Sequence, residues 1–399
     1  MTDSDENHCP VKVDELIDLT SLGISLSDVT WTRVRMTSDA WISVVRKKQR
    51  HHHRNDLVLE VLEAAVIDVG SKHVKSFELE GLVSAQVCPL KPLIALSSLE
   101  KMYVIDLETK DCRKWNRFPC QVLYWTWISK NVIGIVSQTD VYHWNIDTDQ
   151  LTFMFPRHIR LSGNQITGYS SDTYLSWFLL RSLFCETDGS IGGVIQVFSS
   201  EYEHSTCIEG HAATIAHHTF PGRLESSRVL IVAKKLTNKL AKLSITELGP
   251  QKNFPLVSRM ESFSWTNHED IPSLLVCSSG LGMIYLLTKL GSLFVFDFET
   301  CAPILLHHRI CPDIVFQAVL DTSTQGVIAI ARNGQVLKIE VDKSNYNQQQ
   351  HQLNYNGIEM RDLSQKTCNK SRDKQLTTEK DDNNRNNEII SEEDLVTHL

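Results

Sequence analysis

Apolar and polar positions alternate in short runs along most of the chain, and one pattern recurs. An apolar run is followed by a polar residue with apolar neighbours, and often then by a turn. It occurs as VIDV ending at Val69, MYVIDLET at Thr109, VYHWNIDT at Thr148, IQVFSS at Ser200, AKLSITELG at Gly249, LFVFDFET at Thr300 and QVLKIEVD at Asp342. The polar markers are Asp68, Asp106, Asn145, Ser199, Thr246, Asp297 and Glu340, separated by 38, 39, 54, 47, 51 and 43 residues. A unit of four short strands and tight turns has roughly that length, about 45 residues. In VYHWNI, Tyr142, Trp144 and Ile146 alternate with Val141, His143 and Asn145, the period of a strand. LFVFDF is apolar on both faces, as a buried strand is. Seven such units predict an all-β chain, a seven-bladed β-propeller over residues 1–342, whose radial repetition leaves only short edges. Two packed sandwiches are the rival all-β arrangement, and the regular spacing favours the propeller. Helical periodicity is scarce, which argues against an α/β fold. The first segment is expected to join the last blade and close the ring, because an open end would expose a strand edge.

The most apolar stretch, Ile271 to Leu287, contains Ser278, Ser279 and two glycines and is followed by Lys289. A spanning helix needs roughly 20 predominantly apolar residues, so strands are predicted there. Beyond Asp342 the character changes. The 57 residues from Lys343 to Leu399 hold nine Asn and six Gln and no Trp or Phe. Such a segment buries too little apolar surface to offset its ordering entropy, so residues 343–399 are expected to form a disordered polar tail. Its SEEDL tip places Ser391 in an acidic patch of the kind kinases select, although a solvated tail is the simpler reading.

Composition narrows the function classes. Of 399 residues, 42% are apolar and 22% charged, a globular balance. The net charge of −8 and the lack of a basic stripe argue against a nucleic-acid partner. Ten cysteines include no Cys-x-x-Cys pair, against zinc-ribbon and thioredoxin readings. The acidic start MTDSDENHCP does not read as a signal peptide, so the expected compartment is the reducing cytosol. No Gly-Lys dipeptide, His-Glu-x-x-His, Gly-x-Ser-x-Gly or Gly-x-Gly-x-x-Gly occurs, so no enzyme and no cofactor are expected. His51, His52 and His53, within KKQRHHHR, read as a solvated hairpin loop, because adjacent residues cannot all point at one ion. His211, His217 and His218 read as core or turn histidines. No metal is expected. The eight tryptophans read as core.

Five strings are more specific than any of these motifs: LGISLSDVTW (Leu22 to Trp31), WTWISKNVIGIVSQTDVYHW (Trp125 to Trp144), IEGHAA (Ile208 to Ala213), LTKLGSLFVFDFET (Leu287 to Thr300) and RNGQVLKIEV (Arg332 to Val341). In order and spacing, from about Cys9 to Asp342, they resemble the amino-terminal domain of the clathrin heavy chain. The resemblance implies a seven-bladed propeller that is not an enzyme but a docking hub for short linear motifs of endocytic and sorting adaptors. It would be cytoplasmic and peripheral at coated pits and coated vesicles, reaching membranes only through adaptors. The resemblance places a groove for extended apolar-acidic peptides between the first two blades, on Ile94, Lys101, Tyr103, Ile105 and Lys110. The family's Thr-x-Gln-x-Phe reads Lys101, Tyr103 and Ile105 here. Its following Lys-x-Lys reads Lys110 and Cys112, and its arginine on the preceding blade aligns near Lys75 or Glu78. A central hollow for tryptophan-bearing motifs falls on Trp31, Gln165 and Thr167. A further groove, between the fourth and fifth blades, maps to Val197, Tyr202 and Thr206 without its Arg and Gln. The family's helical linker and trimerising leg have no counterpart in the tail, so no self-trimerisation is expected. The alternatives are a leg-less coat modulator that sequesters adaptors and a non-binding truncated remnant. LIDL, Leu16 to Leu19, itself reads like a clathrin-box peptide, but on the first propeller segment its leucines are expected to be buried.

Overall fold

The computed structural model describes residues 11–52, 57–249, 257–265 and 267–341. Residues 13–340 form one compact unit. Seven four-stranded antiparallel sheets make up the fold. They span residues 34–78, 84–117, 124–156, 165–209, 212–264 and 272–309 as blades 1 to 6, and 315–341 with 11–18 as blade 7. The first strand of each sheet lies against the first strands of the two neighbouring sheets, and these contacts close into a ring. The architecture is the seven-bladed propeller expected from the repeat.

The repeat marks one strand of each blade. All seven marker residues lie on third strands, for instance Lys101–Asp106, Asp140–Asn145 and Ser292–Asp297. The turn chemistry explains why the markers are polar. Asp106 Oδ1 accepts from the backbone N–H of Glu108 and Thr109 at 2.9 and 3.2 Å. Asn145 does the same for Asp147 and Thr148, and Asp297 for Glu299 and Thr300. Four residues after five of the markers the backbone turns left-handed, at Lys72, Lys110, Asp149, Glu203 and Cys301. Each of these turns joins the third strand to the outer one.

Blades bury both faces, each against a neighbour. Tyr142 and Trp144 pack with Met102 and Val104 of blade 2, while Val141 packs with Tyr169 and Phe178 of blade 4. The alternation in VYHWNI therefore separates two interfaces rather than core from water.

Ring closure follows the expectation. The segment Val11–Asp18 is the outer strand of blade 7, beside Gln335–Val341. The Leu19 N–H donates to the Gly334 carbonyl at 2.9 Å, and Gln335 Nε2 donates to Glu15 at 2.6 Å. Ile17 and Leu19 are buried with Ile328, Ile330 and Val336, while Leu16, the other leucine of LIDL, packs against them half-buried. Between Ile17 and Leu19, Asp18 caps a short 3-10 turn through the Thr20 N–H. The stretch from Ile271 is a hairpin of Pro272–Ser278 and Met283–Thr288. Among the described residues no helix is long and apolar enough to cross a membrane.

Three expectations need correction or placing. The backbone of His51 and His52 is strand, paired with Val58 and Leu57, because blade 1 extends a long hairpin where a loop was expected. Not every tryptophan is core: Trp31 is 39% and Trp115 55% exposed. They lie on a turn and an outer strand, where no blade covers them. The tail expected from Lys343 onward lies outside the described residues.

Candidate functional site

The third strand of blade 2, Lys101–Asp106, sorts its side chains by alternation. Met102 and Val104 are buried against blade 3, and Lys101, Tyr103 and Ile105 share the half-buried opposite face. Ile105 packs with the blade 1 side of the interface, which includes Phe77. Asp106 closes the following turn. Its carboxyl is held down at about 2, first by the hydrogen bond from Arg113 and then by the Glu108 and Thr109 N–H groups. That turn carries Lys110, whose Nζ stands 5.6 Å above the Phe77 ring and 3.4 Å from the Ser76 carbonyl.

A cleft of about 440 Å³ opens here, lined by Lys48, Ser76, Phe77 and Glu78 of blade 1 and by Ile105 and Lys110 of blade 2. Its floor is apolar and its rim mainly cationic. Lys48 Nζ bonds Glu63 at 2.9 Å and Glu78 at 3.1 Å. Burial alone would raise the Glu63 pKa. Hydrogen bonds from Lys48 and Arg46 outweigh that and hold it below the usual carboxylate range. Among the described residues Lys110 has no carboxylate partner, and its Nζ meets only the Ser76 carbonyl and the Phe77 ring.

Of the residues expected in this groove, Ile105 and Lys110 line the cleft. Ile94 does not. It is the cross-strand partner of Ile105 and is 0% exposed, a support beneath the floor. Tyr103 continues the same face along the strand, opposite Trp115 of the outer strand. Lys101 lies four residues from Ile105, about 13 Å along an extended strand. Its Nζ stands 5.4 Å over the Trp115 ring, at a separate hollow of about 220 Å³ shared with Ser97, Glu100 and Arg117. The cation contributed by blade 1 is Lys48, not the Lys75 or Glu78 of the alignment. Lys75 is engaged by Glu108 at 2.8 Å, and Glu78 is an acid on the rim. Sequence reasoning missed Lys48, Ser76, Phe77 and Trp115. The available signal was alternation within Trp41–His52, Val74–Glu78 and Cys112–Arg117, which pairs residues by face without saying which face meets the next blade.

The central-hollow residues lie at the entry ends of inner strands. Trp31 precedes Val34–Met36 of blade 1, and Gln165, exposed, begins Gln165–Ser171 of blade 4. Thr167 sits half-buried at a register shift in that strand. Arg35, unforeseen from the sequence, donates to the Trp31 carbonyl with its guanidinium 5.7 Å from the Trp31 ring. In the third mapped groove, Val197 is buried opposite Thr206, and Tyr202 remains exposed beside Trp177. His211 and His218 are buried, the latter stacked on Phe298, and no metal-binding cluster of His, Cys, Asp or Glu occurs among the described residues.

No family model matches the chain. By sequence it is 32% identical over 345 residues to Clathrin heavy chain 2 of Oryza sativa subsp. japonica, an alignment covering 84% of this chain and 20% of that protein. Probable clathrin heavy chain 1 of Caenorhabditis elegans is 31% identical over 341 residues, with the same coverage. Clathrin heavy chain 2 of Homo sapiens is 29% identical over 341 residues, again covering 84% and 20%. The chain thus spans about a fifth of the length of the curated relatives it matches. Among solved structures, a chain of the Mitotic Checkpoint Complex crystal structure superposes with a TM-score of 0.53 at 10% identity, covering 86% of this chain and 98% of that one. That likeness carries the propeller fold alone.

Proposed function

Because the chain is a homologue of the clathrin heavy chains across its propeller, we propose that it is a non-enzymatic docking module of clathrin-type coats, taking short extended peptides of adaptor proteins. The observation that carries this reading is the cleft between blades 1 and 2, with Phe77 and Ile105 below and Lys48 and Lys110 at its rim. An extended peptide presents alternate side chains to one side. Its apolar residues would rest on Ile105, Tyr103 and the exposed Trp115, and its acids would meet Lys110 and Lys101. Lys101 to Asp106 spans roughly 17 Å at strand rise, room for five or six extended residues. Ile105 is smaller than an aromatic residue, and Lys48 already holds two acids, so the expected affinity is modest.

Titration of a fluorescent peptide of alternating Leu and Asp into the full chain tests this. Saturable binding in the micromolar to high-micromolar range is expected. Lys110→Glu and Ile105→Asp should each weaken it by about tenfold, since about 1.4 kcal/mol corresponds to that factor. A parent that does not bind at high-micromolar peptide, or two variants that bind as the parent does, overturns the assignment. A peptide bearing tryptophan, titrated against Trp31→Ala, tests the central hollow in the same way.

A further inference from the structure

The two sides of the cleft between blades 1 and 2 carry different charge. On the blade 2 side stands Lys110, which bonds the Ser76 carbonyl and has no carboxylate partner among the described residues. On the blade 1 side Lys48 and Glu78 line the same cleft and are bonded to each other at 3.1 Å. Strand register explains that pairing. Glu78 ends Val74–Glu78, the outer strand of blade 1, and stands directly across from Glu63 of Leu57–Asp68. Like charges in directly opposed positions repel. Lys48, from the next strand, Trp41–His52, relieves this by reaching both acids, Glu63 at 2.9 Å and Glu78 at 3.1 Å. Arg46, two residues before it, holds Glu63 at 2.7 Å. The bonds to Glu63 and then to Glu78 raise the Lys48 pKa, as two carboxylates on one ammonium should.

The formal charges of Arg46, Lys48, Glu63 and Glu78 cancel, and Glu63 is 1% exposed, out of a ligand's reach. What the blade 1 side presents is the Lys48–Glu78 pair, 45% and 43% exposed. A peptide acid arriving there must draw Lys48 away from its two carboxylates or lie beside Glu78. The first uncovers two opposed acids and the second sets like charges together, so both are unfavourable. A basic residue at the same place meets an acceptor. A carboxylate accepts about four hydrogen bonds, so Glu78 can take a ligand's cation alongside Lys48. At the other side an acid meets Lys110 without that competition. The floor between them, Phe77 and Ile105, is apolar and asks only for apolar side chains.

Resting on the peptide reading of this cleft, we infer that Glu78 sets its specificity: the cleft selects an extended apolar peptide whose acid lies at the Lys110 end and whose other end, beside Glu78, is basic rather than acidic. The ligand class is a peptide with opposite charges at its two ends, not a run of acids.

Three fluorescent peptides titrated into the full chain test this. Each has the same alternating apolar residues and an aspartate at one end, and they differ only at the other end, which is Asp, Gln or Lys. The set is made in both directions, because either terminus of a peptide can meet Lys110. In the tighter-binding direction affinity should rise in the order Asp, Gln, Lys, by about fivefold across the series, the range of an exposed ion pair. Glu78→Gln should flatten the series and tighten the Asp peptide, and Glu78→Lys should reverse the order. Lys110→Glu should weaken the Gln peptide, whose single acid depends on that lysine. Should Glu78→Lys fail to fold, Glu78→Gln carries the comparison. An Asp peptide that binds tightest, equal affinity for all three, or an order that the Glu78 variants leave unchanged overturns the inference while the groove reading stands. Binding of none of the peptides at high-micromolar concentration overturns the groove reading, and the inference with it.

Discussion

Ile94 and Ile105 are the same residue type, facing each other across two strands of blade 2, yet one is core and the other lines a cleft. Neighbouring blades decide that difference, and the same holds for Trp115, whose exposure makes it a contact candidate. Trp115→Ala should weaken binding of the Leu/Asp peptide several-fold and leave the melting temperature nearly unchanged, as fluorescence titration and calorimetry would show. Exposed aromatic surface contributes to binding only when a ligand covers it. His143 makes a stability prediction at the same scale. It is buried, its Nε2 lies 2.7 Å from the Tyr169 hydroxyl, and burial pushes its pKa from 6.5 down to about 4. In this window the unfolded chain takes up a proton that the folded chain refuses. Its contribution is therefore present above pH 6.5 and is lost as pH falls toward 4, amounting to roughly 3 kcal/mol at the lower end. Urea denaturation at pH 7 and at pH 4.5 should show a smaller acid loss for His143→Gln than for the parent.

At the scale of elements, the turn after each third strand is where sequence and structure meet most closely. Asp297 Oδ1 accepts from the Glu299 and Thr300 N–H groups and from the Thr300 hydroxyl at 2.8 Å. Asp297→Ala leaves those donors to water and frays the turn into the outer strand Pro303–Arg309. Hydrogen bonds to a charged acceptor contribute about 1.5–3 kcal/mol, so a loss of about 2 kcal/mol is expected by urea denaturation. Asp297→Asn, which keeps the acceptor oxygen, should recover most of it. An equal loss in both variants would show that the turn does not depend on this acceptor. The polar marker was visible in the sequence because this local bonding needs a short polar side chain at a fixed offset. The faces of the strands were not. A blade buried on both sides removes the polar face that normally reveals orientation.

At the scale of the whole molecule, the ring is closed by a strand from the far end of the chain. Removing residues 1–19 exposes the edge of Gln335–Val341 and takes away Ile17 and Leu19, both buried in the blade 7 core. At about 1.5–3 kcal/mol for each fully buried aliphatic side chain, the expected loss is at least about 3 kcal/mol. That should lower the melting temperature by several degrees and promote edge-to-edge association. Calorimetry and light scattering check both effects. A truncated protein melting within a degree or two of the parent would mean that the closing strand adds little.

Local, periodic features were legible from the residues alone: the number of blades, the turn that often follows the polar marker, and the strand character of Ile271 to Leu287. Each depends on contacts within a few residues or on the two-residue period of a strand, so the amino-acid order is enough to state it. The cleft depends on something else. Lys48 and Phe77 come from one blade and Ile105 and Lys110 from the next, and their meeting is set by how two twisted sheets pack. Gly168 likewise shows its use only once the Arg181 guanidinium is seen in the space a side chain would fill. Ring closure brings such residues together because seven sheets must share one centre, a condition imposed on the chain as a whole and written at no single position.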